Sequence, residues 1–397
     1  MLRSMYSGIS GLKNFQTKLD VIGNNIANVN TAGFKKGRVT FKDTMNQMVM
    51  GASAATDTRG GTNPMQVGLG SALATIDTIH TGSSLQTTNR SLDLGIDGDG
   101  YFVVKNDQQT FYTRAGNFYL DDNGTLVNAD GLKVQAYNGG VLEDIIVNVN
   151  ATLPAVATKN MKLEGQLPDH TTLSVGTKSD VQQMKIVDKK GVEHVVDFQY
   201  EATASGWDVV FTNNQANPAT TAKISLTYDN GAYSTTDTLD LADTSGLNIV
   251  DGESITFDFN NLKQEGDSIT AQVNPDGNLS GKLESFNIGS SGEVNGVYSN
   301  GQIRSHGKIA LAKFSNTSGL LKAGNNLFQE TINSGTANIN VPGSGRGSIA
   351  AGSLEMSNVD LSEEFTEMIT AQRGFQANTR IITTSDEILQ ELVNLKR

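Results

Sequence analysis

Apolar residues recur every seven positions at both ends of the chain and at every second position across much of its middle. From Leu361 the row Leu361, Met368, Phe375, Ile382 and Leu389 is flanked by Phe365, Ile381, Ile388, Leu392 and Leu395. That spacing predicts a helix with a coiled-coil-like seam. Asp360 and Glu363 have capping-box spacing at its start, and Lys396 and Arg397 complement the helix dipole at its end. The first thirty residues repeat the pattern with Met5, Leu12, Leu19 and Ile26, beside Leu2, Ile9, Phe15, Ile22 and Val29. The one-residue drift in the second row is what a 3.6-residue turn does to a seven-residue repeat. A first helix is predicted to run to about Asn28. Two apolar seams at opposite ends predict that the termini meet in a stem, the rest being an excursion out and back. Met5, Ile9, Leu12, Leu19, Ile22, Ile26, Leu361, Phe365, Met368, Phe375, Ile382, Leu389 and Leu392 are the residues expected to pack it.

Between the seams the period falls to two. The basic stretch from Lys35 to about Met50 is irregular, and residues 51–70, rich in Gly, Ala, Thr and Ser, read as an extended connector. Strands are predicted from residue 71 at Leu92–Ile96, Tyr101–Val104, Phe111–Thr113 and Phe118–Leu120. Asp97-Gly98, Asp99-Gly100, Asn123-Gly124, Asp130-Gly131 and Asn138-Gly139 punctuate this region as turns. Further alternating strands follow at Val192–Val196, Trp207–Phe211, Lys223–Tyr228 and Ile255–Phe259, with the single Trp207 expected in their core. Lys308–Phe314 is another strand, and Val341–Ser348 a flexible loop leading to the final helix. The fold class expected is α+β: long terminal helices forming a coiled-coil-like stem, with two nested mainly-β domains. The parts are 1–70 with 350–397 as the stem and connector, 71–144 with 281–349 as an inner β domain, and 145–280 as an inserted outer β domain.

Charge agrees with paired ends. Residues 1–70 hold eight basic residues against three acidic ones, and 350–397 hold eight acidic against four basic. Across all 397 residues the net charge is −12, with no basic stripe to neutralise phosphates, so nucleic acid is not an expected partner. There is no cysteine, which excludes disulfides and thiolate chemistry. No apolar run approaches the roughly 20 residues of a membrane helix, so membrane insertion is not expected. The N-terminus lacks the apolar segment of a secretory signal, which by that rule alone keeps the chain in the cytoplasm.

Candidate chemistry is sparse. His80, His170, His194 and His306 have no ligand spacing. Asp97-Gly-Asp99-Gly-Tyr101 is half a calcium loop without its terminal Glu, and reads as two adjacent turns. Gly343-Ser-Gly-Arg-Gly347 is not followed by the Lys-Ser/Thr of a phosphate loop. Ser10 and Lys13 have Ser-x-x-Lys spacing without companion motifs. No enzyme, no cofactor and no metal are expected.

Three stretches resemble the bacterial flagellar rod and hook protein family. Asn24-Asn-Ile-Ala-Asn-Val-Asn-Thr-Ala-Gly-Phe-Lys-Lys36 resembles its N-terminal motif, placing Asn25, Asn28, Asn30, Thr31, Gly33 and Phe34 among the family's characteristic residues. Leu92–Val104 and Thr113-Arg-Ala-Gly-Asn-Phe118 resemble its β domain. Ser357–Ile369 and Ala371-Gln-Arg-Gly-Phe-Gln-Ala-Asn378 resemble its C-terminal helix, with Gln372, Arg373, Gly374 and Phe375 in the motif. The resemblance covers about the first 145 and last 115 residues. It implies a structural subunit of the hook, polymerising through the stem residues into a flexible curved tube that carries torque from rod to filament. The inserted domain favours the hook over a distal rod protein, and a β-rich surface adhesin is a remoter alternative. Implied partners are copies of itself, the distal rod, hook cap and hook–filament junction proteins, and the type III export apparatus. The resemblance also revises location to the extracellular hook/basal body, reached without a cleaved signal peptide.

Overall fold

The computed structural model describes all residues except Met1, Gln108, Val149, Ala151, 170–172, 215–219, 230–231, 235–238, 241–253, 266–267 and 396–397. His170, Lys396 and Arg397 thus lie outside the described residues. The chain is mostly β, with a long helix near each end, and divides into two compact units. The first comprises Met1–Val147, Asn287–Asn295 and Ser305–Arg397; the second comprises Asn148–Phe286 and Gly296–Arg304.

In the first unit, α1 spans Leu2–Ala27 and α2 spans Leu361–Asn394. Asp360 caps α2, its carboxylate accepting from the Ser362 and Glu363 amides at 2.8 and 3.4 Å. The Glu363 side chain takes a hydrogen bond from Lys36 at 2.7 Å.

The stretch expected as an irregular segment and connector is instead a β-ribbon. Strands β1 (Gly37–Asp43) and β4 (Ser71–Thr78) pair antiparallel, and beyond them β2 (Asn46–Met50) pairs with β3 (Met65–Gly68). Bridges at Ser53 with Thr62 and Thr56 with Arg59 carry the pairing toward the tip. A two-stranded ribbon with water on both faces needs no apolar alternation, so its sequence looks like a connector.

Among the described residues ten strands share the main sheet of this unit. Tyr101–Lys105 is central: it pairs with Thr110–Thr113, Lys133–Asn138 and Leu311–Lys313. The returning chain thus completes a sheet begun two hundred residues earlier. Tyr101, Val103, Tyr112, Ala312, Phe314 and Phe328 form a core beneath it, with Tyr112 and Phe314 edge to face at 4.8 Å. The hairpin expected at Asn138-Gly139 turns through Gly139 and Gly140, at φ 56° and 105°, one residue later than the motif suggests. Two small strand pairs, Leu94–Asp97 with Ser348–Ala351 and Leu85–Thr87 with Ser353–Glu355, lead into α2. The loop before them, expected to be flexible, carries hydrogen bonds of its own. Arg346 donates to Ser344 O and Asn338 O, both at 2.7 Å, and the Gly347 amide donates to Asp99 O at 2.7 Å.

The second unit holds a five-stranded antiparallel meander from Gln182–Val187 to Ala232–Ser234. A second sheet contains the parallel pair Asn160–Leu167 and Ser254–Gln264. Trp207 is fully buried among Tyr200, Phe211, Met161 and Leu163, its indole donating to Pro168 O at 3.2 Å.

Candidate functional site

α1 and α2 pack antiparallel. Going up α1, Gly8 meets Ile382, Gly11 meets Asn378, Phe15 meets Gly374 and Lys18 pairs with Glu367 at 3.3 Å. Small residues set this approach: a methyl group on Gly374 would lie 2.5 Å from the Phe15 ring, and one on Gly11 2.8 Å from the Asn378 amide. The glycine of Gln372-Arg373-Gly374-Phe375 is therefore explained by a ring on the opposite helix. Gln372 and Arg373 themselves are exposed.

The most buried positions of α2 are Glu364, Ala371 and Ser385, in register with Asn378 at steps of seven. This stripe lies three residues along from the large apolar row. Met368, Ile382 and Leu389 are half-buried, whereas Leu361, Phe365, Phe375 and Leu392 are exposed, Phe365 by 50%. On α1, Ile22 is buried, Met5, Leu12, Leu19 and Ile26 are half-buried, and Ile9 is exposed. The contact between the helices thus seats Phe15 and Ile382 on glycines of the facing helix, and much of the remaining large apolar surface faces outward.

At the base of the helix pair the N-terminal motif is built into the β structure. Thr31 Oγ donates to Asn28 Oδ1 at 3.1 Å and closes the turn after α1. Asn30 is exposed there. Asn25 exchanges two 2.9 Å hydrogen bonds with the Gly37 backbone, as a neighbouring strand would. Its amide also donates to the buried carboxylate of Glu364 at 3.1 Å. Burial raises the Glu364 pKa, against the pull of that hydrogen bond. Gly33 adopts φ +70°, its amide donates to Glu355 O at 2.8 Å, and a Cβ there would lie 2.5 Å from Ala115 N. Any side chain would collide with the backbone of the Thr113-Arg-Ala-Gly motif. Phe34 is buried under the Lys322 ammonium, 5.3 Å from its ring centre.

Beneath this lies a fully buried ionic cluster. Lys35 Nζ donates to Glu355 Oε1 at 2.6 Å and to Thr81 O at 2.7 Å. Arg114 Nη1 donates to Glu355 Oε2 at 3.1 Å and its guanidinium lies 5.2 Å from the Tyr101 ring centre. Ser83 donates to the same carboxylate through its amide and hydroxyl, both at 3.3 Å. His80 Nδ1 shares a 2.7 Å hydrogen bond with the Tyr101 hydroxyl. Burial, then the charges of Lys35, Lys322 and Arg114, push the His80 pKa down to about 4, so the ring is neutral at pH 7. Burial also lowers the Lys35 pKa, and Glu355 opposes that shift.

The cluster joins two of the motif stretches, through Lys35 and Arg114, to Glu355 just ahead of the third. Nothing local marks Lys35, Arg114, Glu355 or Asn358 as partners. Asn358 reaches from the C-terminal segment to accept from the Lys36 amide at 2.7 Å and to donate to Ile79 O at 2.8 Å. Chemically the arrangement is a fastening, with Lys35 and Arg114 both donating to the buried Glu355 carboxylate. Among the described residues no group of three His, Cys, Asp or Glu is placed to hold a metal, and no helix is long and apolar enough to cross a membrane.

Comparison with known proteins agrees with this construction. Residues 5–35 match the family described as flagella basal body rod protein, 95–182 the flagellar hook protein FlgE/F/G D1 domain, and 350–395 the flagellar basal body rod FlgEFG protein C-terminal family. The flagellar hook protein FlgE of Borreliella burgdorferi is 41% identical over 445 residues, covering all of both chains. The chain belongs to the flagellar hook and rod protein family. The flagellar hook protein FlgE of Salmonella typhimurium is 33% identical over 420 residues, covering 99% of this chain and all of that one. A family member from Bacillus subtilis named flagellar basal-body rod protein FlgG is 42% identical over 399 residues, again covering both chains fully. Chain length therefore does not by itself separate hook-named from rod-named relatives. Among solved structures, the Helicobacter pylori flagellar hook protein FlgE2 shares the fold at a TM-score of 0.53 and 12% identity, over 68% of this chain and all of that one.

Proposed function

We propose that this chain is the structural subunit of the flagellar hook, polymerising into a flexible curved tube that carries torque from rod to filament. The observation that carries the reading is the outward row on α2. Leu361, Phe365, Phe375, Ile381, Ile388 and Leu392 are large, apolar and exposed on a helix whose contact with α1 is already made through glycines. Burying the part of each such side chain still exposed is worth about 1 kcal/mol. Exposed apolar side chains on both flanks of the α1 contact mark a protein contact. Copies of the same chain are the partner that a hook subunit requires, and head-to-tail contacts that never close give a helical tube.

In this reading the terminal helices form a coiled-coil-like stem lining the tube. The thirteen seam residues divide between packing the pair and holding neighbouring subunits. Residues 145–280 serve as the outer domain and set curvature and stiffness. The subunit leaves the cell through the type III export apparatus without losing a signal peptide. It is then added between the distal rod and the hook cap, and the finished tube meets the hook–filament junction proteins. The family is structural, and no catalytic role is assigned to any residue.

The rod-named Bacillus relative supports a second reading, a distal rod subunit. Antibody labelling of isolated hook–basal bodies separates the two. Label along the curved hook is expected, and label confined to the straight rod below it would replace the hook assignment with the rod one.

A further inference from the structure

The protein has ten methionines, and four of them, Met45, Met48, Met50 and Met65, stand on the β-ribbon. There they are between 51% and 80% exposed. Met161 and Met184 are buried, and Met5, Met356 and Met368 are half-covered. Among the described residues, exposed thioethers are thus confined to one element. They cluster within it, since Met50 lies opposite Met65 across the ribbon. No charged residue occurs in 44–56 or 60–76. Val49 and Val67 add further exposed apolar surface.

This surface lacks the lysines and glutamates that ordinarily keep exposed strand edges from pairing. A two-stranded ribbon is marginally stable in water on its own. Among the described residues the support comes toward its β1–β4 end, where Asn14 donates to Ser71 Oγ at 2.8 Å and Gly70 meets Ser7 and Ser10 of α1. Exposed Tyr6 and Ile9 flank that point, so the apolar surface of the ribbon continues onto the outward face of the helix pair. Methionine is suited to such a surface because its unbranched, polarisable side chain adapts to irregular partners.

We propose that the ribbon is an oxidant-sensitive assembly surface. Its four thioethers react with hydroperoxide-class oxidants in the free subunit, and the resulting sulfoxides prevent it from docking on a second copy of the chain. The docking half rests on the hook reading above; the reactivity half does not. In the reaction a sulfur lone pair attacks the terminal peroxide oxygen, an S–O bond forms and the O–O bond breaks. The departing hydroxide takes up a proton to give water. Sulfur loses two electrons and the peroxide gains them. The product is a strongly polar sulfoxide in place of an apolar atom, which an interface built of Met and Val cannot bury without cost.

The test uses full-length protein and hydrogen peroxide. Monomer is treated briefly and sulfoxide is mapped by peptide mass spectrometry. Met45, Met48, Met50 and Met65 are expected to oxidise at least about tenfold faster than Met161 and Met184, because reactivity follows exposure. Equal rates would overturn the site. Treated and untreated protein are then compared in a polymerisation assay, with the thermal transition monitored to show that the fold survives. Polymerisation is expected to fall about tenfold or more and to return after methionine sulfoxide reductases act. A protein with Met45, Met48, Met50 and Met65 changed together to Leu is expected to give the same yield treated as untreated, whatever its own starting yield. Oxidised ribbon that polymerises normally, or loss that the reductases do not reverse and the Leu protein shares, would overturn the docking half. Untreated protein that never polymerises would sink the hook reading itself and the docking half with it.

Discussion

Glu355 receives Lys35 and Arg114 from opposite sides in a region closed to water, both side chains of the Lys35 pair being fully buried. Removing one partner from such a group leaves uncompensated buried charge, at a cost of about 3–5 kcal/mol. Glu355→Gln keeps the shape and removes the charge, and is expected to lower the unfolding free energy from denaturant titration by an amount in that range. A loss under about 1 kcal/mol would show that the cations relax toward water. His80 adds a pH dependence. Its folded pKa, about 4, lies below the ordinary value of 6.5, so between those values the unfolded chain binds more protons than the folded one. The His80 contribution is complete above pH 6.5 and is lost as pH falls toward 4. Glu364, whose pKa is raised, works in the opposite sense as acid is added. The difference between wild type and His80→Gln isolates the histidine: the thermal midpoint of the variant should fall less steeply over this window. Identical slopes would mean that His80 is protonated within the folded protein without penalty.

Elements carry the next level of design. α2 presents a narrow stripe of small residues to α1 and a broad apolar row elsewhere, so the two faces can be tested apart. Phe365→Asp and Phe375→Asp alter partly exposed positions and should cost the monomer no more than about 1–2 kcal/mol. Polymerisation should be abolished, because a charge in a contact closed to water costs several kcal/mol unless paired. Sedimentation of variant and wild type under polymerising conditions is the measurement, and normal polymers would remove this row from assembly. Gly374→Ala probes the other face. It pushes a methyl group toward the Phe15 ring and is expected to destabilise the monomer by about 1–3 kcal/mol through overpacking. A variant as stable as wild type would mean that the helices separate freely.

At the scale of the molecule, the second unit has its own core around Trp207, and that core lies wholly within Asn148–Phe286, the larger of the unit's two segments. A universal joint must bend in every direction, so contacts remade at each turn cannot be large and apolar. Burial is worth about 25 cal/mol per Å², and 400 Å² would already hold about 10 kcal/mol. Replacing 148–286 by a short Gly-Ser joint between Val147 and Asn287 is expected to leave export and polymerisation intact. The tubes should be straighter, and electron microscopy of shed hooks with motility tracking would read this. Exported monomers that never polymerise would place the second unit in the assembly interface.

Much of this was legible in the chain. Periodicity located both helices to within a few residues, Asn-Gly and Asp-Gly pairs located turns, and alternation located the strands around Trp207. These signals are local: a helix or a half-buried strand writes its own period into neighbouring residues. The ribbon was illegible because both of its faces meet water. The ionic cluster was illegible because Glu355 lies 320 residues from Lys35 and 241 from Arg114. Folding alone brings them together. The face that α2 turns to α1 was decided in the same way. Close approach there depends on Gly8, Gly11, Ala371 and Gly374, which let two backbones come near but carry almost no hydrophobic signal. The heptad row announced how much apolar surface the helix has; only the packed structure decided which side of the helix it would leave outward.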